Sequence, residues 1–434
     1  MAETAALVLD RGRVVDPRTG RDAPGAVGIR DGRIVDPAEL PGAPRVDLRG
    51  AVIAPGFIDL HVHLRDPGQT SKETLSTGTA AAARGGFTTI LAMPNTTPPV
   101  DSPAVLSQLL TRLGKEACVR VLQAAAITLG RSGDRLADLE ALARAGAAAF
   151  TDDGSGLRNN ALMLAALRSA AEAGIPLVDH CEDLSLSLGR PMNEGPVARR
   201  LGLDGQPSSA EEVMVARDIV LARQADCPVH IQHVSSAFSV QLIRTARQNG
   251  VPVSAEVTPH HLCLTEEACE TCGTLAKMNP PLRRNVDRDA LVEGVRDGTL
   301  SCIATDHAPH TRAEKKRPFA EAPFGVIGLE TAVPVCMTAL YHSGLMNLAS
   351  FVACFTTGPA RVLRRDSTLR PGMPADLTII DPEHVHTIDV SRFASRAGNT
   401  PFAGWTCKGA VLGTVVDGRW IYRHSRLDVS PPAP

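Results

Sequence analysis

Gly56-Phe57-Ile58-Asp59-Leu60-His61-Val62-His63-Leu64-Arg65-Asp66-Pro67-Gly68 is the stretch from which the rest of the chain is read. Residues 57–63 alternate as a short buried strand does. Alternate strand residues share a side, so His61 and His63 project together, where two imidazoles can grip one metal ion. Arg65 follows just past the strand, and Pro67-Gly68 turns the chain. Two neutral nitrogen donors beside a guanidinium point to a metal hydrolase with an anionic substrate. The plainer reading is two core histidines and a surface arginine, and the remaining chain has to decide between them.

Further apolar runs lie at 87–93, 119–126, 147–151, 176–180, 228–234, 251–257 and 301–305. Alanine-rich stretches with helical character intervene, among them 161–173, 209–224 and 239–249. With 57–63 this makes eight strands, most followed by helix-compatible sequence. Eight βα units in about 300 residues predict an α/β fold of the TIM (β/α)8 type, ahead of a doubly wound open sheet. Residues 6–53 read instead as short strands, Ala6-Leu7-Val8-Leu9 and then Gly12-Arg13-Val14-Val15-Asp16, with a hairpin turning at Asp31-Gly32. Ala375-Asp376-Leu377-Thr378-Ile379-Ile380 and a hairpin turning at Asp417-Gly418 supply strands at the other end. The division expected is a small β-domain from 1–55 and 365–434, and a catalytic barrel over 56–364.

Composition narrows the function classes. Across 434 residues, 45 basic and 47 acidic side chains leave a formal charge of −2, and aromatics make up 3%. Neither a nucleic acid nor an anionic membrane is an expected partner. Residues 1–4 lack the start of a signal peptide, and no apolar run approaches transmembrane length. Ten scattered cysteines with a single CxxC, Cys269 to Cys272, fit reduced thiols and a cytoplasmic setting better than a disulfide framework.

In a TIM barrel, chemistry sits at the C-terminal strand ends. His61 and His63 end strand 1, Asp152 and Asp153 follow strand 4, His180 ends strand 5, His233 ends strand 6, and Asp306 and His307 follow strand 8. Five independent strand ends carrying His or Asp make coincidence a poor explanation. His230 reads as packing or support, and His260-His261 as support without an assigned role. His342, His384, His386 and His424 fall outside the pattern and read as solvated.

The pattern extends to whole blocks: 55–68, Met93-Pro94-Asn95-Thr96, Phe150-Thr151-Asp152-Asp153-Gly154, Asp179-His180-Cys181-Glu182, 230–235, 256–262, 277–283 and Ala304-Thr305-Asp306-His307-Ala308-Pro309-His310. The chain thereby resembles the amidohydrolase superfamily and, within it, the bacterial dihydroorotases. The HxH carries only the superfamily; Arg65, Asn95, Asn279 and the DHAPH segment narrow the match. The resemblance implies a reversible, zinc-dependent ring closure of N-carbamoyl-L-aspartate to L-dihydroorotate in pyrimidine synthesis. It implies one or two Zn2+ ions per subunit, with His61, His63 and Asp306 on one and His180 and His233 on the other. Many relatives bridge the ions with a carboxylated lysine after strand 4. This chain has no lysine there and resembles the subgroup with an aspartate, for which Asp153 is chosen and Asp152 stays open.

Asp306 is the expected base and then acid, with Asp66 the runner-up. Arg65, Asn95, Asn279 and His310 are the expected substrate-binding residues, Arg65 because a planar fork suits a carboxylate. A salt bridge to Asp66 is the competing role for Arg65. The charged segment 310–323 reads as a solvated loop or as a lid over the site. An allantoinase- or hydantoinase-type hydrolase is one alternative. A non-catalytic subunit of aspartate transcarbamoylase is another, and self-association or association with that enzyme is compatible with activity.

Overall fold

All eight apolar runs form strands in the computed structural model, which describes residues 6–427. Residues 1–4, read above for a leader, lie outside them. The barrel strands are β1 (Phe57–Val62), β2 (Phe87–Ala92), β3 (Arg120–Ala125), β4 (Ala149–Phe150), β5 (Leu177–Asp179), β6 (Val229–Ile231), β7 (Val253–Val257) and β8 (Cys302–Ile303). They pair in parallel, in chain order from β1 to β8. Helices connect them, among them Leu75–Arg84, Asn160–Ala173, Ser209–Ala225 and Ala237–Gln248. Parallel strands need such crossovers, and right-handed ones curl the sheet until its edges meet.

The edges meet through three contacts. Val62 bridges His307 in parallel register, and His63 N donates to His307 O at 2.9 Å. The third is the Asp59 side chain. Its Oδ1 accepts from Thr305 N and from His61 N, both at 3.0 Å, and its Oδ2 accepts from Thr305 Oγ1 at 2.6 Å. Burial pushes this carboxyl up to about 7.

Ile58, Leu60, Leu91, Met93, Leu122, Ala124, Ala149, Val178, Cys302 and Ala304 form one apolar cluster. Since they come from β1 to β5 and β8, the cluster fills the barrel. Phe57, Phe87, Ile90, Val229, Ile231, Val253 and Val257 belong instead to the layer shared with the helices. This parity decides which polar residues face the barrel mouth. Continued two residues past the interior positions, it reaches Asn95, His180 and Asp306, and four past Ala149 it reaches Asp153. His61 and His63 lie off parity with Ile58 and Leu60. A register shift between Asp59 and Val62 turns them. His233 is also off parity, and its φ of 31° redirects it.

Eight further strands form a second sheet from both ends of the chain, and Met192–Asn193 pairs with Gly205–Gln206 in a small two-stranded one. The two N-terminal strands expected over 6–16 are one strand, Leu7–Asp16, interrupted by a register shift between Leu9 and Gly12 with Arg11 at φ 52°. Asp31-Gly32 and Asp417-Gly418 make two-residue turns with positive φ at both positions, as expected. Ile379 pairs with Ile53, which joins the C-terminal strand Leu377–Thr387 to Val52–Pro55. Thr378 ties this sheet to the barrel, its Oγ1 donating to Gly86 O at 2.6 Å. Among the described residues all ten cysteines are unpaired, and no helix is long and apolar enough to cross a membrane.

Asp59→Ala leaves the Thr305 amide and hydroxyl buried without their acceptor. Each such group costs about 1–3 kcal/mol. The variant should lose roughly 2–5 kcal/mol in denaturant unfolding, and a loss under about 0.5 kcal/mol would show that the closure does not depend on this side chain.

Candidate metal centre

At the barrel mouth one carboxylate lies among four imidazoles. Asp153 Oδ1 is 3.2 Å from His61 Nε2, 3.7 Å from His180 Nδ1 and 4.0 Å from His233 Nε2, and its Oδ2 is 3.6 Å from His63 Nε2. Asp306 Oδ1 is 2.9 Å from His63 Nε2 and 3.5 Å from His61 Nε2. His180 Nδ1 and His233 Nε2 are 2.8 Å apart. All six side chains are buried. Two overlapping sets, His61 with His63 and Asp306, and His61 with Asp153 and His233, each hold their ligand atoms within 4.8 Å of one another.

Proton positions within the cluster show what it lacks. An ionised carboxylate only accepts, so across the 3.0 Å contact with Glu256 Oε1 the proton sits on His61 Nδ1, which donates. His61 Nε2 then presents a lone pair to the oxygens of Asp153 and Asp306, and it has no hydrogen-bond partner. Buried acceptors converging on acceptors are unfavourable without a positive charge between them. The ionisation equilibria carry the same demand. Burial opposes charge on His61, but Asp153 and Asp306 push its pKa well above the ordinary imidazole value. Burial likewise opposes charge on Asp153, which its histidine neighbours, His61 foremost, hold well below the carboxylate range. The donor set of imidazole nitrogens and carboxylate oxygens fits a divalent ion such as zinc.

Asp152 is not part of this convergence. It accepts from Ile127 N at 2.9 Å, Thr128 N at 3.0 Å and the Thr128 hydroxyl, which pins the strand 3 loop.

The competing role for Arg65, a salt bridge to Asp66 or another nearby acid, is not seen among the described residues. Asp66 is held by a bidentate Arg112 at 2.6 and 3.0 Å, because the turn at Pro67-Gly68 directs it toward the helix Pro103–Glu116. A Cβ on Gly68 would meet Thr97 O at 2.3 Å, so this turn requires glycine. Arg65 itself is half-buried at φ 59°, with Nε 3.3 Å from Pro309 O and Nη2 3.4 Å from His310 Nε2. Among the described residues no carboxylate lies within ion-pair distance of it. Burial lowers its pKa, and Asp306 and Asp153 partly offset this.

The two asparagines are engaged with protein groups. Asn95 Oδ1 is 2.9 Å from His63 Nδ1, and its Nδ2 donates to Asp153 Oδ2 at 3.2 Å. Asn279 Nδ2 donates to Glu182 Oε2 at 2.8 Å, the same oxygen that lies 2.9 Å from His180 Nε2. His310 Nε2 donates to Phe324 O at 2.7 Å.

Residues 310–323 are partly solvated, with Arg312, Lys316 and Arg317 exposed, and partly anchored. Thr311 caps the short helix Arg312–Lys315, and Lys315 is buried, donating to Pro323 O at 3.0 Å and Gly325 O at 2.9 Å. Desolvation lowers its pKa to about 7. Lys72 ties the segment to the loop after β1 through Glu314 at 3.0 Å. His342, His384, His386 and His424 are half-buried; the last three line an open pocket of about 170 Å³, and His342 donates to Pro382 O at 2.7 Å. Packing against the terminal sheet is not visible from strand-end spacing.

Glu256, Glu182 and Arg131 had no assigned role. Arg131 Nη2 donates to Asp153 O and, at 2.8 Å, to Ser155 Oγ, which holds the segment carrying Asp153. The signal for Glu256 was present in Val253–Val257, where Ser254 and Glu256 alternate with apolar residues on the interior parity.

The Dihydro-orotase-like family profile matches residues 50–239. Dihydroorotase of Pelotomaculum thermopropionicum is 48% identical over 96% of this chain and 98% of its own. That of Bacillus caldolyticus is 48% identical over 88% and 90%. The L-hydantoinase (dihydropyrimidinase) of Arthrobacter aurescens superimposes with a TM-score of 0.87 over 96% of both chains at 23% identity. The dihydropyrimidinase of Brevibacillus agri superimposes with 0.83 at 24%, covering 96% of this chain and 95% of its own. The last two likenesses establish the fold. Identity near one half along almost the entire length, together with the convergence around Asp153, places this chain in the dihydroorotase family.

Proposed function

We propose that this chain closes N-carbamoyl-L-aspartate to L-dihydroorotate reversibly, with Zn2+ as its metal. The observation that carries the substrate is Arg65: a half-buried guanidinium beside the histidine–aspartate cluster with no acidic partner of its own. Dihydroorotate differs from a plain cyclic ureide by one carboxylate. An unpaired fork next to the reacting centre is what that carboxylate needs.

His61, His63 and Asp306 would hold one ion, and His180 and His233 a second, with Asp153 between the two sets. A bound Zn2+ supplies Lewis acidity and a nucleophile at neutral pH. Asp306 does the proton work. Its Oδ1 faces His63 and His61, and its Oδ2 takes the proton of the attacking water and returns it to the ring nitrogen as the amide opens. In the biosynthetic direction the same oxygen takes the proton from the carbamoyl nitrogen. Asn95 holds His63 and Asp153 in place, and Glu182 holds His180 and Asn279. Asp306 and His233 both sit at positive φ, backbone that costs on the order of 1–3 kcal/mol each and aims the side chains across the mouth. The unpaired cysteines accord with a cytoplasmic enzyme.

Asp153→Ala should lower metal content and activity together, while Asp152→Ala should destabilise the strand 3 loop and keep its metal. Metal loss in Asp152→Ala with unchanged content in Asp153→Ala would reverse the assignment. For Arg65→Met the expected loss is about 2–5 kcal/mol of transition-state binding, or about 30- to 5,000-fold in kcat/KM for dihydroorotate. Metal content should stay at the wild-type level. Equal losses on dihydroorotate and on an analogue without the carboxylate would make Arg65 structural.

A further inference from the structure

Beneath the candidate metal centre a chain of polar groups runs through the barrel interior. Glu256 is fully buried. Its Oε1 lies 3.0 Å from His61 Nδ1, and its Oε2 lies 3.1 Å from His230 Nε2. His230 Nδ1 in turn lies 2.8 Å from Ser254 Oγ. The donors sort in one direction only. The Ser254 hydroxyl donates to His230 Nδ1, His230 Nε2–H donates to Glu256, and His61 Nδ1–H donates to the other Glu256 oxygen. This order holds for an ionised Glu256, which only accepts, between two neutral imidazoles.

A second group competes for the same nitrogen. Gln232 Nε2 is 3.3 Å from His61 Nδ1. A donation from Gln232 would require the opposite tautomer, with the proton on His61 Nε2 and aimed at Asp153. The Glu256 oxygen is nearer and ionised, and a lone pair on Nδ1 facing it at 3.0 Å would be repulsive. Gln232 Nε2 also has Met93 Sδ at 3.4 Å, and its Oε1 takes the Thr151 hydroxyl at 3.3 Å.

We propose that Glu256 is a positioning residue for the metal, fixing the His61 tautomer that leaves Nε2 unprotonated, and that His230, oriented by Ser254, holds Glu256 to that task. This rests on the reading of His61 as a metal ligand. Partners that orient a ligating histidine commonly change metal affinity about 10- to 100-fold when removed. A carboxylate that served only to satisfy the barrel interior would change folding stability and leave metal affinity alone.

The test is a chelator competition on the full chain, giving the Zn2+ dissociation constant of wild type, Glu256→Gln, His230→Leu, the double variant and His61→Ala. Thermal unfolding of each metal-free variant is measured beside it. Glu256→Gln should bind Zn2+ about 10- to 100-fold more weakly. His230→Leu should lose several-fold, and adding it to Glu256→Gln should cost little more, because both act through one oxygen pair. Wild-type affinity in folded Glu256→Gln overturns the proposal. If Glu256→Gln does not fold, wild-type affinity in His230→Leu overturns it equally. Should His61→Ala bind Zn2+ as tightly as wild type, the ligand reading of His61 fails instead, and the two failures are distinguishable.

Discussion

Buried acceptor atoms cannot converge without positive charge between them, and the barrel mouth is built around that constraint. Asp153 brings two oxygens among His61, His63, His180 and His233, and Asp306 adds a third beside His61. These side chains come from β1 and from the ends of β4, β5, β6 and β8. A cation held at this point would join opposite sides of the barrel. The polar interior follows from the same need. Glu256 directs a lone pair of His61 upward, Asn95 orients His63, and Glu182 orients His180. Each of these partners is buried or half-buried, and each leaves one ring nitrogen for the centre.

Much of this was legible in the chain because it obeys a period. Apolar runs alternating with helix-compatible sequence identify eight strands, and a residue two past the last interior position of a strand reaches the mouth. Asn95, His180 and Asp306 follow that rule. His61, His63 and His233 do not; they stand out because His or Asp at five strand ends is too many to be chance. The structural reason they still converge is local: a register shift in β1 and a left-handed residue after β6. Neither leaves a mark in composition.

What stayed hidden has a common cause. Asp66 with Arg112, Lys315 with backbone carbonyls, and His384 with His424 are contacts between segments far apart in sequence, or contacts made by loops. A charged loop and a buried lysine look alike as letters, since only tertiary packing supplies the acceptors. Arg65 was ambiguous for the same reason. Its role turned on whether a neighbouring acid claims it, and Arg112, forty-six residues beyond Asp66, claims that acid first. Arg65 is thereby left to face the centre unpaired. Under the proposed function, an Arg65 without a carboxylate partner would favour a carboxylate-bearing ring over one that lacks it.

That preference can be measured on the wild-type protein with its metal content determined. kcat/KM is compared for L-dihydroorotate and for 5,6-dihydrouracil, the same ring without the carboxylate. A site that leaves a buried donor unpaired when a substrate group is missing discriminates strongly against the analogue. A preference for dihydroorotate of at least about 10³-fold is the predicted result. Comparable or faster turnover of dihydrouracil would contradict it.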